Sequence, residues 1–267
     1  MRNFEFHRPQ SVADAVALLK GNDAAKLLAG GQSLLPVMKL DLAQPEVLVS
    51  LAKVAGLKEI RSAGNNLVIG ALVTHAEVAA SPEVRRRIPG LADLAGGIGD
   101  AQIRNRGTLG GSLAHADPAA DYPAAVLALG ATIVTDRRQI AADDYFTGMF
   151  QTALAADEVI TSVHFPVPEC AAYAKFSHPA SKYAVVGVMV AKTPMGSTGV
   201  RVAVTGAGAK VFRVPAYESA LAAKLAPEAI AAGAVAPGDL RSGGEASPEY
   251  LAHLVTVMAK RAVQACR

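Results

Sequence analysis

Leu28-Ala29-Gly30-Gly31-Gln32-Ser33-Leu34-Leu35-Pro36 is the stretch from which the rest of the chain is read. The apolar residues just before it, Lys26–Ala29, read as a short buried strand, and Leu34-Leu35 open a helical turn. Glycine at 30 and 31 allows φ > 0 and lets backbone approach a ligand closely. Successive N–H groups in such a turn make a concave nest for an anion, and the Ser33 hydroxyl adds a donor. Thr108-Leu109-Gly110-Gly111-Ser112 carries the same ingredients. Neither stretch is a GxGxxG fingerprint or a Walker A loop. Each alone reads as a tight turn beside packed strands; together they predict two backbone cradles that suit a diphosphate.

Outward from these turns, Ser11–Lys20 reads as a helix with Ser11 as N-cap and Gly21 as its stop. Val47–Leu51 and Leu67–Gly70 read as strands. Thr74-His75-Ala76-Glu77 has capping-box spacing, so a helix starts at Thr74. Helices are expected at Pro89–Gly97 and Pro118–Leu129, and strands at Ala131–Val134 and Glu158–Phe165. Pro166-Val167-Pro168 punctuates the last of these. Beyond it, Ala184–Lys192 and Gly199–Gly206 read as paired strands. Tyr217–Leu225 and Pro248–Ala265 read as helices, with a loop at Pro237–Ser247. The division is therefore 1–55, 56–168 and 169–267.

The composition limits what such a chain does. Of 267 residues, 51% are hydrophobic and none is Trp, so Ala and Val carry much of the packing. Basic and acidic residues number 26 and 23, too balanced for a nucleic-acid surface. No apolar run reaches the roughly 18 residues of a membrane span, so no stable membrane insertion is expected. The start, Met1 to His7, lacks a signal-peptide core, which places the chain in the cytoplasm. Cys170 and Cys266 then read as two unpaired thiols.

His115, Asp117, Asp121 and Tyr122 follow the second glycine pair. If 118–129 is helical, Asp117 and Asp121 sit on one face. A metal site needs more ligands than these; carboxylates accepting hydrogen bonds from sugar or ribityl hydroxyls fit better. Asp117 also suits an N-cap, with Pro118 at the first helical position. His115 reads either as a base or as a structural turn residue.

Taken together, these motifs resemble the FAD-binding subunit of molybdenum hydroxylases, a family that includes carbon monoxide dehydrogenase medium subunits and xanthine dehydrogenase flavin domains. Phe4 to Pro9 looks like the family's start. Ala29–Ser33 matches its first diphosphate motif and Ile103–Leu113 its second. Phe146-Thr147-Gly148 with Asp157-Glu158 matches the stretch that closes the FAD domain. Lys175-Phe176, Pro179–Ala184 and Thr205–Gly208 match the C-terminal domain. Two departures stand out: Leu251 follows Tyr250 where the family usually has Arg, and the loop Ser242-Gly243-Gly244-Glu245 is unusual.

The resemblance implies an α+β, PCMH-type FAD-binding fold of two subdomains plus a C-terminal antiparallel sheet-and-helix domain. The cofactor-binding residues it implies, with the reading above, are Leu28, Ala29, Gly30, Gly31, Gln32, Ser33 and Leu34 in the first motif. In and after the second they are Ile103, Thr108, Gly110, Gly111, Ser112, His115, Asp117 and Asp121; Lys182 and Tyr183 follow in the C-terminal domain. Within that set, Asp121 lies near the ribityl and phosphate region, Ile103 on one face of the isoalloxazine, and Tyr183 beside the ring. No protein acid or base is needed, and no metal is expected. The implied partners are a small [2Fe–2S] subunit and a large molybdopterin subunit, with NAD or a quinone as acceptor. Two other readings compete: a stand-alone flavin oxidase or dehydrogenase of the vanillyl-alcohol-oxidase type, with His115 as a possible covalent link, and a non-redox nucleotide-binding module.

Overall fold

A computed structural model describes residues 1–193, 199–242 and 246–266. The chain begins with β1 (Glu5–His7), α1 (Val12–Lys20), β2 (Ala25–Leu28), α2 (Leu34–Lys39) and β3 (Val47–Ser50). β3 is the central strand of a parallel sheet in the order β1-β3-β2. As expected, the Ser11 hydroxyl accepts the Asp14 N–H at 3.1 Å and Gly21 ends α1. Burial of Ala15 and Leu19 against Val47 and Val49 holds the helix on the sheet.

β4 (Ile60–Ala63) and β5 (Asn66–Gly70) lead into α3 (His75–Ala80), α4 (Pro82–Arg87), α5 (Pro89–Gly96), α6 (Ala101–Arg104), α7 (Leu109–His115) and α8 (Tyr122–Ala128). Then come β6 (Thr132–Thr135), β7 (Gln139–Ala141), α9 (Ala142–Tyr145), the hairpin of β8 (Phe146–Gly148) and β9 (Gln151–Thr152), and β10 (Ile160–Pro166). The antiparallel sheet runs β4-β5-β10-β6-β7. The capping box at α3 is complete: Thr74 accepts the Glu77 N–H, and the Glu77 carboxylate accepts the Thr74 N–H at 2.7 Å.

A second antiparallel sheet, β11-β12-β13-β14, closes the chain: β11 (Cys170–Ser177), β12 (Ala184–Lys192), β13 (Val200–Thr205) and β14 (Phe212–Arg213), with α10 (Pro215–Ala223) and α11 (Pro248–Ala265). β12 and β13 are almost wholly apolar because both faces are covered. Met189, Ala191 and Ala203 join the core under α5 and α8, whereas Val188, Val190, Val202 and Val204 pack under α10 and α11. The two-residue period of a strand thus divides one sequence between two cores. The α+β architecture of antiparallel sheets with helices agrees with the expected fold.

Three expectations are corrected. The first is the helix expected from Pro118, which starts only at Tyr122. The Pro118 and Ala120 carbonyls accept the Thr205 hydroxyl at 2.9 and 2.6 Å, and the Ala119 carbonyl accepts the Ala184 N–H. Carbonyls tied to the last sheet cannot serve a helix. Asp117 therefore caps a turn, accepting the Ala119 N–H at 2.8 Å, and does not share a helical face with Asp121.

Second, Cys170 and Cys266 are disulfide-bonded, with Cα atoms 5.5 Å apart. α11 lies antiparallel along β11: Tyr250 near its start meets Phe176 near the strand's end, which brings the opposite ends together at the cysteines. Third, Pro237–Asp239 forms a 3-10 turn inside the expected loop. The unusual Gly243–Glu245 segment lies outside the described residues, as do 194–198.

Glu158 locks the β6–β7 turn to the start of β10. Its carboxylate accepts from Arg138 Nε at 2.8 Å and Nη2 at 2.7 Å, from Thr135 Oγ1 at 2.8 Å and from the Ala155 N–H at 2.9 Å. The Arg138 guanidinium, above all, holds the Glu158 carboxyl down at about 2. A depressed folded pKa contributes stability above the unfolded value of 4.5 that is lost as pH falls toward 2. Glu158→Gln should therefore be less stable at neutral pH and flatten the acid limb of stability between those values. Urea unfolding midpoints across that range check it; an unchanged slope would contradict the assignment.

The candidate cofactor cleft

The two glycine turns meet. A Cβ on Gly30 would overlap the Arg106 carbonyl and lie 2.8 Å from Gly107 Cα, and one on Gly111 would lie 3.7 Å from the Ala29 Cβ. A Cβ on Gly110 would sit 2.6 Å from that of Ala71. The backbone of the 28–34 turn can pack on the 103–111 stretch only because these positions lack side chains. Gly31 alone of the four turn glycines has positive φ, at 75°. The N–H groups of Gly31, Gln32 and Ser33 have no acceptor among the described residues.

The second turn differs from its expected form. Thr108–Ser112 is a helix start rather than an open nest. The Leu109 N–H goes to Val73 O, Gly110 to Ala71 O, Gly111 to Thr108 Oγ1 and Ser112 to Thr108 O. Of the N–H groups of this turn only that of Thr108 has no acceptor among the described residues, so this side offers it together with the Ser112 and Thr108 hydroxyls. The sequence similarity of the two turns conceals this, because Thr108 is an N-cap and its counterpart in the first turn is not.

Above the turns opens a cleft of about 540 Å3, within the range of small-molecule sites. Every residue expected to bind the cofactor lines it, from Leu28–Leu34 through Ile103, Thr108, Gly110–Ser112, His115, Asp117 and Asp121 to Lys182 and Tyr183, whereas Tyr122 is buried behind it. Among the described residues no His, Cys, Asp or Glu group is arranged to hold a metal, and no helix is long and apolar enough to cross a membrane.

Asp121 is buried and held from β11. Lys175 Nζ lies 2.9 Å from one carboxylate oxygen and the Tyr173 hydroxyl donates at 2.6 Å. Burial raises the Asp121 carboxyl above its ordinary value, against the pull of Lys175 and Tyr173. Tyr183 stands at the end of the β11–β12 hairpin, 45% exposed, beside Lys182 with φ 62°. Burial, together with the Asp117 and Asp121 charges, raises the Tyr183 hydroxyl.

The family described as the FAD binding domain in molybdopterin dehydrogenase matches residues 2–168. The chain belongs to this family. It is 43% identical over 228 residues to the nicotine 6-hydroxylase medium subunit of Paenarthrobacter nicotinovorans, covering 82% of this chain and 81% of the relative. It is 38% identical to the carbon monoxide dehydrogenase medium chain of Hydrogenophaga pseudoflava, covering 98% and 96%. The solved structure of carbon monoxide dehydrogenase from that organism superposes with TM-score 0.92 at 38% identity, over 99% of this chain and 97% of the other. Quinoline 2-oxidoreductase from Pseudomonas putida 86 superposes with TM-score 0.89 at 29% identity, over 99% and 96%. The chain is thus a flavoprotein subunit of a molybdopterin-dependent oxidoreductase, and its cofactor is FAD.

The cleft of this FAD-binding subunit has the features the cofactor demands. Three unpartnered N–H groups at the first turn suit an anion, and glycines open the space a Cβ would fill. Sequence reading missed several lining residues: His75, Phe150, Val159 and Ile160. Nothing in local pattern marks them, because each reaches the cleft only through the packing of α3, the β8–β9 hairpin or β10 on the turns. It also missed Tyr173, and named Lys175 as part of a C-terminal motif but not as a partner of Asp121, although their spacing of two on one strand puts them on one face.

Two outcomes follow from this geometry. Gly30→Ala should leave the purified protein with little flavin, because the added Cβ meets backbone that cannot yield. Gly21→Ala, whose Cβ would have 3.5 Å to its nearest neighbour, should keep it. The flavin-to-protein absorbance ratio reads both, and a fully yellow Gly30→Ala protein contradicts the packing argument. Lys175→Met should lose about 3 kcal/mol, since it strands a buried carboxylate. Lys175→Met/Asp121→Asn should recover much of that in urea unfolding.

Proposed function

We propose that this chain is the electron outlet of a heterotrimeric molybdenum hydroxylase in the cytoplasm. Substrate is oxidised at molybdenum on a large partner subunit. Electrons then pass through iron–sulfur clusters of a small subunit to this chain, which delivers them to NAD or a quinone. The observation that carries the reading is the single cleft lined by residues from three distant stretches, under two turns packed backbone to backbone. FAD, when bound, supplies the redox chemistry by accepting electrons and handing them on.

In this reading the first turn holds the diphosphate through the Gly31, Gln32 and Ser33 N–H groups, and Ser112 adds a hydroxyl from the other side. Asp121, fixed by Lys175 and Tyr173, accepts from ribityl hydroxyls. Ile103 packs on one face of the ring and Tyr183 shields its exposed side. Residues 1–55 and 56–168 serve as the two FAD-binding subdomains and 169–267 as the C-terminal domain. No protein group is asked to take up or release a proton from the hydroxylated substrate.

The partners follow from what the chain lacks and from its relatives. A [2Fe–2S] cluster takes four cysteine ligands, and this sequence has two cysteines, joined to each other. Relatives named for nicotine, carbon monoxide and glyceraldehyde share this subunit type. Such variety fits substrate choice on another subunit. The purified chain should contain stoichiometric FAD and be reduced by an artificial donor or NADH. It should leave aldehydes, purines, N-heterocycles and carbon monoxide untouched until small and large subunits are added. Substrate oxidation by the metal-free chain alone would sink the proposal and favour a stand-alone flavin enzyme.

A further inference from the structure

Phe150 holds a backbone conformation that its side chain disfavours. It is the second residue of the loop Met149-Phe150 that joins β8 to β9, and its φ is 54°. Positive φ at that place in a hairpin turn ordinarily belongs to Gly or Asn. For a bulky aromatic it is an outlier that persists only where surrounding contacts impose it. The residue is also 51% exposed, so burial in a core does not offset the cost. Its ring meets that of His115 at the end of α7, with centroids 5.2 Å apart and planes tilted by 49°, the separation of an aromatic pair. Both rings line the cofactor cleft. Exposure and lining together place Phe150 at the rim of the cleft, where the pair bridges the hairpin to α7.

The base of the hairpin is firmly held. Tyr145 and Phe146 are buried. Phe146 O accepts from Lys210 Nζ at 2.8 Å, Tyr145 O from the Ala153 N–H at 2.9 Å, and Ala153 O from Arg138 Nη2 at 2.6 Å. Met149 and Phe150, by contrast, make no hydrogen bond outside the hairpin among the described residues. The loop is thus a tip on a fixed base, held over the cleft through the Phe150 ring. We propose that Phe150, seated on His115, is a clasp: with FAD in the cleft its ring covers the cofactor, and its lifting sets how fast FAD leaves. The inference rests on the FAD reading of the cleft. Strained backbone makes the closed tip easy to lift when the cleft is empty, and contact with the bound cofactor offsets that cost.

The test follows FAD release from the loaded full-length protein by the recovery of flavin fluorescence, and unfolding of the deflavinated protein by heat. Phe150→Gly removes the ring and accepts positive φ without cost. It should release FAD roughly tenfold faster and leave the unfolding midpoint of the deflavinated protein unchanged or raised. Phe150→Tyr, which keeps the ring, should release FAD at the wild-type rate. His115→Ala should also speed release, and the double variant should be no faster than Phe150→Gly alone, because the pair acts as a unit. Release by Phe150→Gly within about twofold of wild type overturns the inference, and slower release does so too, since the ring would then obstruct the cleft. A lowered unfolding midpoint in Phe150→Gly overturns it because Phe150 would serve the hairpin's own fold. Additive effects in the double variant overturn the clasp, each ring then acting alone. Wild-type protein that takes up no FAD would refute the FAD reading of the cleft itself, and this inference with it.

Discussion

The structure depends on one backbone-to-backbone contact, the seating of Gly30 on the Arg106 carbonyl and Gly107. It joins the parallel β1-β3-β2 unit to the helices that cover the antiparallel sheet. Side chains usually mediate such a junction; here their absence makes it. The contact brings the 28–34 turn over α7 and leaves the Gly31, Gln32 and Ser33 N–H groups without acceptors among the described residues. Those groups tolerate their position because they face a cleft open to solvent or ligand and not the core. Packing and binding capacity are thus one feature: filling the junction with side chains would close the cleft.

A second layer of constraint comes from the last sheet. Thr205 and Ala184 take the carbonyls of 118–120 and hold that segment out of helix. The turn so formed delivers Asp121 to the cleft floor, where Tyr173 and Lys175 reach it from β11. The C-terminal sheet therefore positions a residue that belongs to the middle of the chain. Arg201 reinforces the same junction, donating to Leu127 O at 3.0 Å and to both Asp143 oxygens at 2.8 Å. A buried arginine with all these partners is tolerated where an unpaired one would not be.

How much of this was legible follows from which forces are local. Ser11, Thr74 and the Gly30-Gly31 pair announce caps and a turn, and caps and turns are decided by a few neighbouring residues. The boundaries of α1 and α11 and the start of α3 accordingly agree with expectation. Pro118–Ala120 has helical chemistry by its own lights, with Pro at a first-turn position, yet tertiary hydrogen bonds from a strand some eighty residues away win. The disulfide was invisible for the same reason: only the antiparallel seating of α11 on β11 makes the cysteines neighbours. In the cleft, motif residues could be named in advance because glycine and hydroxyl spacing carries meaning. His75 and Phe150 could not, since an isolated histidine or phenylalanine carries none until packing places it.

The electrostatics of the cleft complete the argument. Two of its carboxylates are already compensated, Asp121 by Lys175 and Glu158 by Arg138. His75 is uncharged at ordinary pH. Under the proposed reading the diphosphate, the most charged part of FAD, meets neutral N–H and hydroxyl donors at the first turn. Oriented dipoles fixed by the backbone hold an anion without placing a full counter-charge beside it. Asp117 lies near Tyr183, and Lys182 and Lys26 also line the cleft. Lys182 sits on a hairpin residue with left-handed φ at the exposed rim, where solvent screens it strongly. Under that reading, binding comes from shape and from oriented backbone donors.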